Sequence, residues 1–223
     1  ELICKSFYYH SDLNSKDSVT QSKIESLELE ARLGSKLHSP IYPKVRDLKH
    51  LNNTQRKNIS SQQSKAICLV RDFVGGISFE QLGVATKEFI ERIENDALSK
   101  NVLISLQEFW LDNSIALAEG LYELQCLGYA HGDLSLSNLR LDSTGKVKLM
   151  DLGLASEFGN CKGGTPEFFS PGHLVGDLNS RSDLFAVGLH LCYWVCGSQP
   201  LLGMTLKEVS NFLSDLENTP HKM

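Results

Sequence analysis

Between His131 and Gly153 the chain reads HGDLSLSNLRLDSTGKVKLMDLG. Asn138 follows Asp133 by five positions and Asp151 follows it by eighteen. The residue types suit one kind of chemistry. An aspartate can accept or orient the proton of an attacking hydroxyl. An asparagine and a second aspartate offer the hard oxygens that magnesium selects. Phosphoryl transfer needs both parts: a group that aligns the nucleophile, and ligands that hold a metal against the phosphates. The competing reading is a polar turn between helices and a hairpin. The apolar strand pattern flanking the three polar residues disfavours it.

These residues need elements to position them. Leu139 to Leu141 and Val147 to Met150 predict two short strands around the turn Asp142-Ser143-Thr144-Gly145. VLISLQEFWLDNSIALAEGLYELQCLGY, just upstream, is long and apolar enough for a buried helix. SDLFAVGLHLCYWVCG, from Ser182, is almost wholly apolar and predicts a helix buried on all sides, and LKEVSNFLSDLEN a final helix. In the first third, ELICKSFYY (residues 1–9), Val45 to Leu51 and AICLVRDFV from Ala66 predict strands, the last closed by Gly75 and Gly76. SKIESLELEARLGSKL, from Ser22 to Leu37, predicts an acidic helix with Ile24, Leu27 and Leu33 at helical spacing. Residues 10–22 and 52–64 are polar enough for loops, ISFEQLG for a short helix or turn, and ATKEFIERIENDALSK for a helix. A strand-rich first third before a helix-rich remainder predicts two lobes, α+β overall.

The net charge of -5 gives no electrostatic footprint for nucleic acid or an anionic membrane surface. No stretch reaches the ~18 consecutive apolar residues of a membrane span. The chain opens at Glu1 without a basic-then-apolar signal segment. None of the six cysteines forms a C-x-x-C pair, so a reducing, cytoplasmic compartment is expected. Cys192 and Cys196 share a helical face, which reads as core packing rather than a metal or redox pair. Asn52-Asn53-Thr54 and Asn58-Ile59-Ser60 match the glycosylation pattern, which has no meaning in that compartment.

The His131–Gly153 stretch resembles the catalytic loop and magnesium-binding turn of protein kinases, H-R-D-L-x-x-x-N followed by D-F-G. Leu2-Ile3-Cys4-Lys5 resembles the V-A-I-K strand, which implies that Lys5 pairs with the nucleotide's α- and β-phosphates. Glu30, ten residues before Pro40 in KLHSPIYPKV, is the first choice for the glutamate that partners Lys5, and Glu28 the second. CLVRDFVGG resembles the strand and hinge that cradle adenine. That register puts Arg71 at the gatekeeper position, Asp72 first in the hinge, and Val74 where backbone groups meet the adenine edge. Leu139 completes the expected nucleotide contacts. The resemblance implies that Asp133 is the catalytic base and that Asn138 and Asp151 are the metal ligands. His131 would pack beneath the magnesium turn. GTPEFFSPG, from Gly164 to Gly172, resembles the substrate-docking G-T-x-x-Y-x-A-P-E and would place Thr165 near Asp133. Ser182-Asp183-Leu184-Phe185 resembles S-D-x-W and would let Asp183 accept the catalytic-loop amides.

The implied fold is bilobal, with residues 1–74 as the small lobe and 75–223 as the large one. The implied reaction takes ATP and magnesium and phosphorylates Ser or Thr of a protein. A Gly-rich phosphate loop would precede Lys5 and further helices would follow Met223. Five departures mark this chain. Gly34 stands where an apolar residue usually packs onto the magnesium turn, leaving an expected gap and costing the helix about 1 kcal/mol. Arg71 is an unusual gatekeeper, free to pair with Asp72 or Glu30. Gly132 replaces the arginine that reads an activating phosphate, Ser135 replaces a lysine, and Gly172 replaces a glutamate. Two other readings stay open. One is a small-molecule kinase of the aminoglycoside phosphotransferase type, which shares HGD but usually lacks a GTPE segment. The other is a pseudokinase, a scaffold without catalysis.

Overall fold

The computed structural model describes residues 1–10, 18–52, 64–82, 88, 97–196 and 200–218. Residues 53–63, which hold the second glycosylation pattern and all of the first but Asn52, and most of the helix expected from ATKEFIERIENDALSK lie outside the described residues.

Three strands, β1 (Leu2–His10), β2 (Val45–Asn52) and β3 (Ser64–Asp72), form an antiparallel sheet in the order β1-β3-β2. Alternation sorts their side chains. Phe7, Leu48, Ile67 and Leu69 face helix α1 (Ser18–Gly34) and close a small core with Leu27. The helix starts and stops earlier than its apolar spacing suggested. Its second buried row, Leu29 and Leu33, packs into the main core. Glu30 lies between the two rows and is buried with them. Lys5 pairs with Leu69 in the β1–β3 register and so shares its face. On the opposite face Cys4 and Cys68 are joined as a disulfide, with Cα atoms 6.1 Å apart. The register explains the meeting: Ser6 pairs with Cys68, so Cys4 sits diagonally across from it.

A short strand β4 (Ile77–Ser78) and helical residues 79–82 lead into the larger part of the chain. There, α2 (Ala97–Cys126) runs against α4 (Ser180–Cys196). Trp110 and Trp194 stack with ring centres 4.5 Å apart, and Phe79 meets both edge-on. Burial of α4 is not all-round as expected, since Leu184 is 51% exposed. After β5 (Tyr129–Ala130) comes the loop with Asp133, ending in a 3-10 turn at Leu136–Asn138. The hairpin β6 (Leu139–Leu141) and β7 (Val147–Leu149) follows, and β5 pairs with β8 (Ser156–Glu157). Gly145 takes φ +76 at the hairpin turn, which a residue with a Cβ would resist. Asn113 of α2 clips the hairpin down, donating to Gly145 O at 3.3 Å and accepting from Val147 N at 2.8 Å. A 3-10 turn at Pro166–Phe168, α3 (Pro171–Leu174) and α5 (Leu206–Asn218) complete the described chain.

The link between α1 and β2 is tied to the large core. Glu123 accepts from His38 N and Ser39 N, both at 2.7 Å. Tyr42 Oη donates to Gly120 O at 2.9 Å, and Leu149 N donates to Ile41 O at 2.8 Å. Gly120 is needed for that approach, because a Cβ there would meet Ile41 Cδ1 at 2.1 Å.

Candidate active site

The first half of the site is an ion cluster. Lys5 Nζ lies 2.7 Å from Glu30 Oε2 and 2.7 Å from Asp151 Oδ2. Glu30 is 3% exposed, and its other oxygen accepts from Arg71 Nη1 at 2.9 Å. Arg71 Nη1 also donates to Met150 O. Two cations and two carboxylates thus meet from α1, β1, β3 and the turn after β7. Burial works against the Lys5 ammonium, but Glu30 and Asp151 outweigh it and hold its pKa above the ordinary lysine value. Burial likewise opposes ionisation of Asp151, yet the bond from Lys5 keeps its carboxyl below the usual range. Glu30 is pushed up by its own burial and by Asp151, against the pull of Lys5 and Arg71.

Of the two partners open to Arg71, Glu30 is the one engaged. Asp72 turns to Arg46, whose Nε and Nη2 donate at 2.6 and 2.8 Å. A register shift between Val45 and Asp47 marks the position of Arg46 on β2. Glu28 points outward, 3.9 Å from His50 Nε2. Val45 covers Gly34 on one side, and a small cavity lined by Gly34, Leu149, Met150 and Leu152 remains beside it. An added Cβ on Gly34 would meet Val45 Cγ2 at 2.5 Å. Gly34 also ends its helix, where a glycine costs little.

The second half is built from amides and hydroxyls. Asp183, at the start of α4, accepts from His131 N at 2.7 Å and Gly132 N at 3.0 Å. Burial pushes its carboxyl up, opposed by His131 and those two amides. Gly132 takes φ +75. His173 Nε2 sits 3.0 Å from Gly132 O, and His190 Nε2 donates to Leu134 O at 2.7 Å. His190 is fully buried between Phe168 and Trp194, and burial lowers its pKa to about 4. A neutral ring with its proton on Nε2 is what a carbonyl partner requires. His131 is buried too, its Nδ1 accepting from Asp133 N at 3.2 Å.

On this frame the Asp133 carboxylate is fixed at both oxygens. Oδ1 accepts from Thr165 N at 2.9 Å and Thr165 Oγ1 at 2.8 Å, and Oδ2 accepts from Asn138 Nδ2 at 2.8 Å. With its nitrogen committed to Asp133, Asn138 has its carbonyl oxygen left for a cation. Met150 N donates to Asn138 O at 2.8 Å and joins the two halves. Asp151 Oδ1 accepts from Gly153 N at 2.8 Å, and Ser26 Oγ holds Gly153 O at 2.9 Å. Beside Asp133 opens a groove of about 320 Å³ lined by residues including Glu80, Ser135, Ser137, Thr165 and Glu167.

The structure therefore brings Lys5, Glu30 and Asp151 into direct contact, and Asp133 and Asn138 likewise. Val74 is buried at the end of the strand segment, next to Asp72. Leu139 requires correction: it is fully buried in the main core and cannot line a nucleotide site. Strand alternation turns its neighbour Arg140 the other way, where Nη2 donates to Gly76 O at 2.7 Å. His173, His190 and Ser26 were not foreseen. A histidine inside an apolar run looks like core, and only the tertiary fold shows which carbonyl it meets.

A protein kinase domain model matches residues 44–221. A probable serine/threonine-protein kinase of Dictyostelium discoideum is 26% identical over 132 residues, covering 56% of this chain and 8% of that protein. A DNA damage-responsive serine/threonine-protein kinase of Deinococcus radiodurans is 33% identical over 95 residues, covering 39% of this chain and 14% of that protein. A putative tyrosine-protein kinase of Caenorhabditis elegans is 26% identical over 208 residues, covering 85% of this chain and 61% of that protein. The chain thus spans a small part of the first relatives, while the kinase model covers most of the chain. The chain belongs to the protein kinase domain family.

Proposed function

We propose that this domain transfers the γ-phosphate of ATP to Ser or Thr hydroxyls of proteins, with residues 1–74 acting as the small lobe and 75–223 as the large one. The observation that carries this reading is the double hold on Asp133 by Thr165 and Asn138, beside a cluster in which Lys5 already touches Asp151. Asp133 would align the acceptor hydroxyl and take its proton. Lys5 would turn from Asp151 to the nucleotide phosphates while keeping Glu30. Val74 would offer backbone groups to the adenine edge.

Among the described residues no group of three or more His, Cys, Asp and Glu gathers to hold a metal. Asn138 Oδ1, and the Asp151 Oδ2 that Lys5 would release on turning to the nucleotide, suit magnesium, which keeps water and phosphate as its other ligands. Bound there, it would supply neutralisation of phosphate charge. No helix among the described residues is long and apolar enough to cross a membrane.

The reading includes independence from an activating phosphate. Gly132 has no side chain to receive one. From Leu154 to Gly164 the only hydroxyl is Ser156, which is buried and donates to Asn160 O at 2.9 Å. The segment is pinned further by Lys162 Nζ to Ala155 O at 2.9 Å and Gly159 N to Leu178 O at 2.8 Å. The test is transfer of labelled γ-phosphate to protein Ser or Thr by full-length protein that no other kinase has treated, alongside the melting temperature with magnesium-ATP. Transfer together with a raised melting temperature is expected. Tight magnesium-ATP binding without transfer would replace this reading with a non-catalytic nucleotide-binding module.

A further inference from the structure

Arg71 sits where β3 passes behind the ion cluster. Its side chain is 13% exposed. One nitrogen, Nη1, reaches both Glu30 Oε1 and Met150 O. Glu30 belongs to α1. Met150 immediately precedes Asp151 and donates its own N–H to Asn138 O. One guanidinium therefore ties the helix carrying the Lys5 partner to the backbone that aims Asp151. Val45, opposite Arg71 in the β2–β3 register, fills the space above Gly34, so β2 and β3 close on α1 together.

We propose that Arg71 is a positioning residue that clamps Glu30 and the Met150–Asp151 backbone in the arrangement needed for transfer. The clamp does from inside the cleft what a phosphate on the 154–164 segment would otherwise do from outside. This rests on the transfer reading above for its consequence, but the clamp itself is a statement about structure. Its reach is specific. Nη1 donates to the carboxylate and the carbonyl through its two hydrogens, and a lysine ammonium, on a shorter stem, is expected to keep Glu30 and lose Met150 O. Removing it leaves Glu30 buried with Lys5 as its one cation, and Lys5 is shared with Asp151.

The test uses Arg71→Met, which removes the charge, and Arg71→Lys, which keeps the charge on a shorter stem. Amide hydrogen exchange and transfer kinetics are measured on full-length protein. Arg71→Met should speed exchange at least tenfold at residues 27–34 and at 150–153, with the rest of the large core unchanged. It should lower kcat at least tenfold while KM for ATP moves less than threefold. Arg71→Lys should keep slow exchange in 27–34 yet speed it at 150–153, and should recover part of kcat. Wild-type exchange at both segments in Arg71→Met overturns the clamp. If that variant does not fold, unchanged exchange at 150–153 in Arg71→Lys overturns it. A kcat that holds despite faster exchange overturns the catalytic role. Wild-type protein without transfer, but with the expected exchange pattern, keeps the clamp and removes the transfer reading instead.

Discussion

Glu30 and Asp183 are both acidic side chains sunk in the protein, and burial pushes both carboxyls up, yet different neighbours oppose it. Glu30 meets two full cations, Lys5 and Arg71, delivered by side chains from β1 and β3. Asp183 meets two backbone amides at the start of the catalytic loop. Side-chain cations can leave, because long stems have other rotamers and Lys5 has a second partner in Asp151. Backbone amides cannot leave without unfolding the loop. The ion cluster is therefore the adaptable half, able to hand Lys5 to a nucleotide. The amide-held half is the fixed one, where the reacting hydroxyl must be aligned.

That contrast can be broken at several points. The largest effect is expected at the fixed half. Asp133→Asn keeps the shape but removes the proton acceptor, and transfer should fall about 10³-fold. The magnesium-ATP shift in melting temperature should survive, since Asp133 acts on the hydroxyl. Transfer that persists in this variant would remove Asp133 from the mechanism.

Next comes Asp183→Ala. It strands the His131 and Gly132 amides in a buried place, and denaturant unfolding should show a loss of about 2–5 kcal/mol. The matching change in the adaptable half, Lys5→Met, leaves Arg71 on Glu30 and should shift unfolding less while abolishing productive nucleotide binding. An equal or larger loss of stability from Lys5→Met would erase the distinction between the halves.

Acid sharpens it further. His190 is buried neutral with its pKa lowered to about 4, against about 6.5 when unfolded. A group whose charged form the fold disfavours contributes full stability above its unfolded pKa. That stability is lost as pH falls toward the folded value. His190 should therefore cost about 3 kcal/mol between pH 6.5 and 4. His173, lowered in the same direction by burial, adds to the slope. Replacing His190 by Leu should flatten the curve of unfolding free energy against pH. An unchanged slope would mean that His190 is not the titrating group. The smallest effect belongs to Gly34→Ala, whose new methyl must displace Val45. A loss of about 1–2 kcal/mol is expected from overpacking, measured by thermal unfolding.

Much of the fixed half was legible in the sequence because its members are close along the chain. Asp133 and Asn138 fall within one loop, and Thr165 and Asp183 sit in recognisable short motifs. The strand and helix periods also placed most elements within a few residues. The adaptable half was legible only in part. Lys5 and Glu30 could be named, but the choice of Glu30 over Asp72 by Arg71 depends on the register shift near Arg46. Whether Gly34 leaves a hole depends on where Val45 lands, and Leu139 was misjudged by one step of strand alternation. The Cys4–Cys68 pairing needs the diagonal of an antiparallel register that spans 64 residues of sequence. Local pattern carries none of this information.

The ties from Glu123, Gly120 and Leu149 to residues 38–42 give the small sheet a fulcrum. Were the strands and α1 to tilt about that point, the bonds to α2 would hold while those to Asp151 and Gly153 would be stretched. Glu30 sits several residues along its helix from this pivot, on a lever arm of about 10 Å at 1.5 Å per residue. A tilt of about 10° would swing Glu30, and Lys5 with it, by about 2 Å relative to Asp151, enough to part Lys5 from Asp151. A cleft that opened about this pivot would be geared. A small rotation far from the chemistry would be magnified where the ammonium meets Asp151.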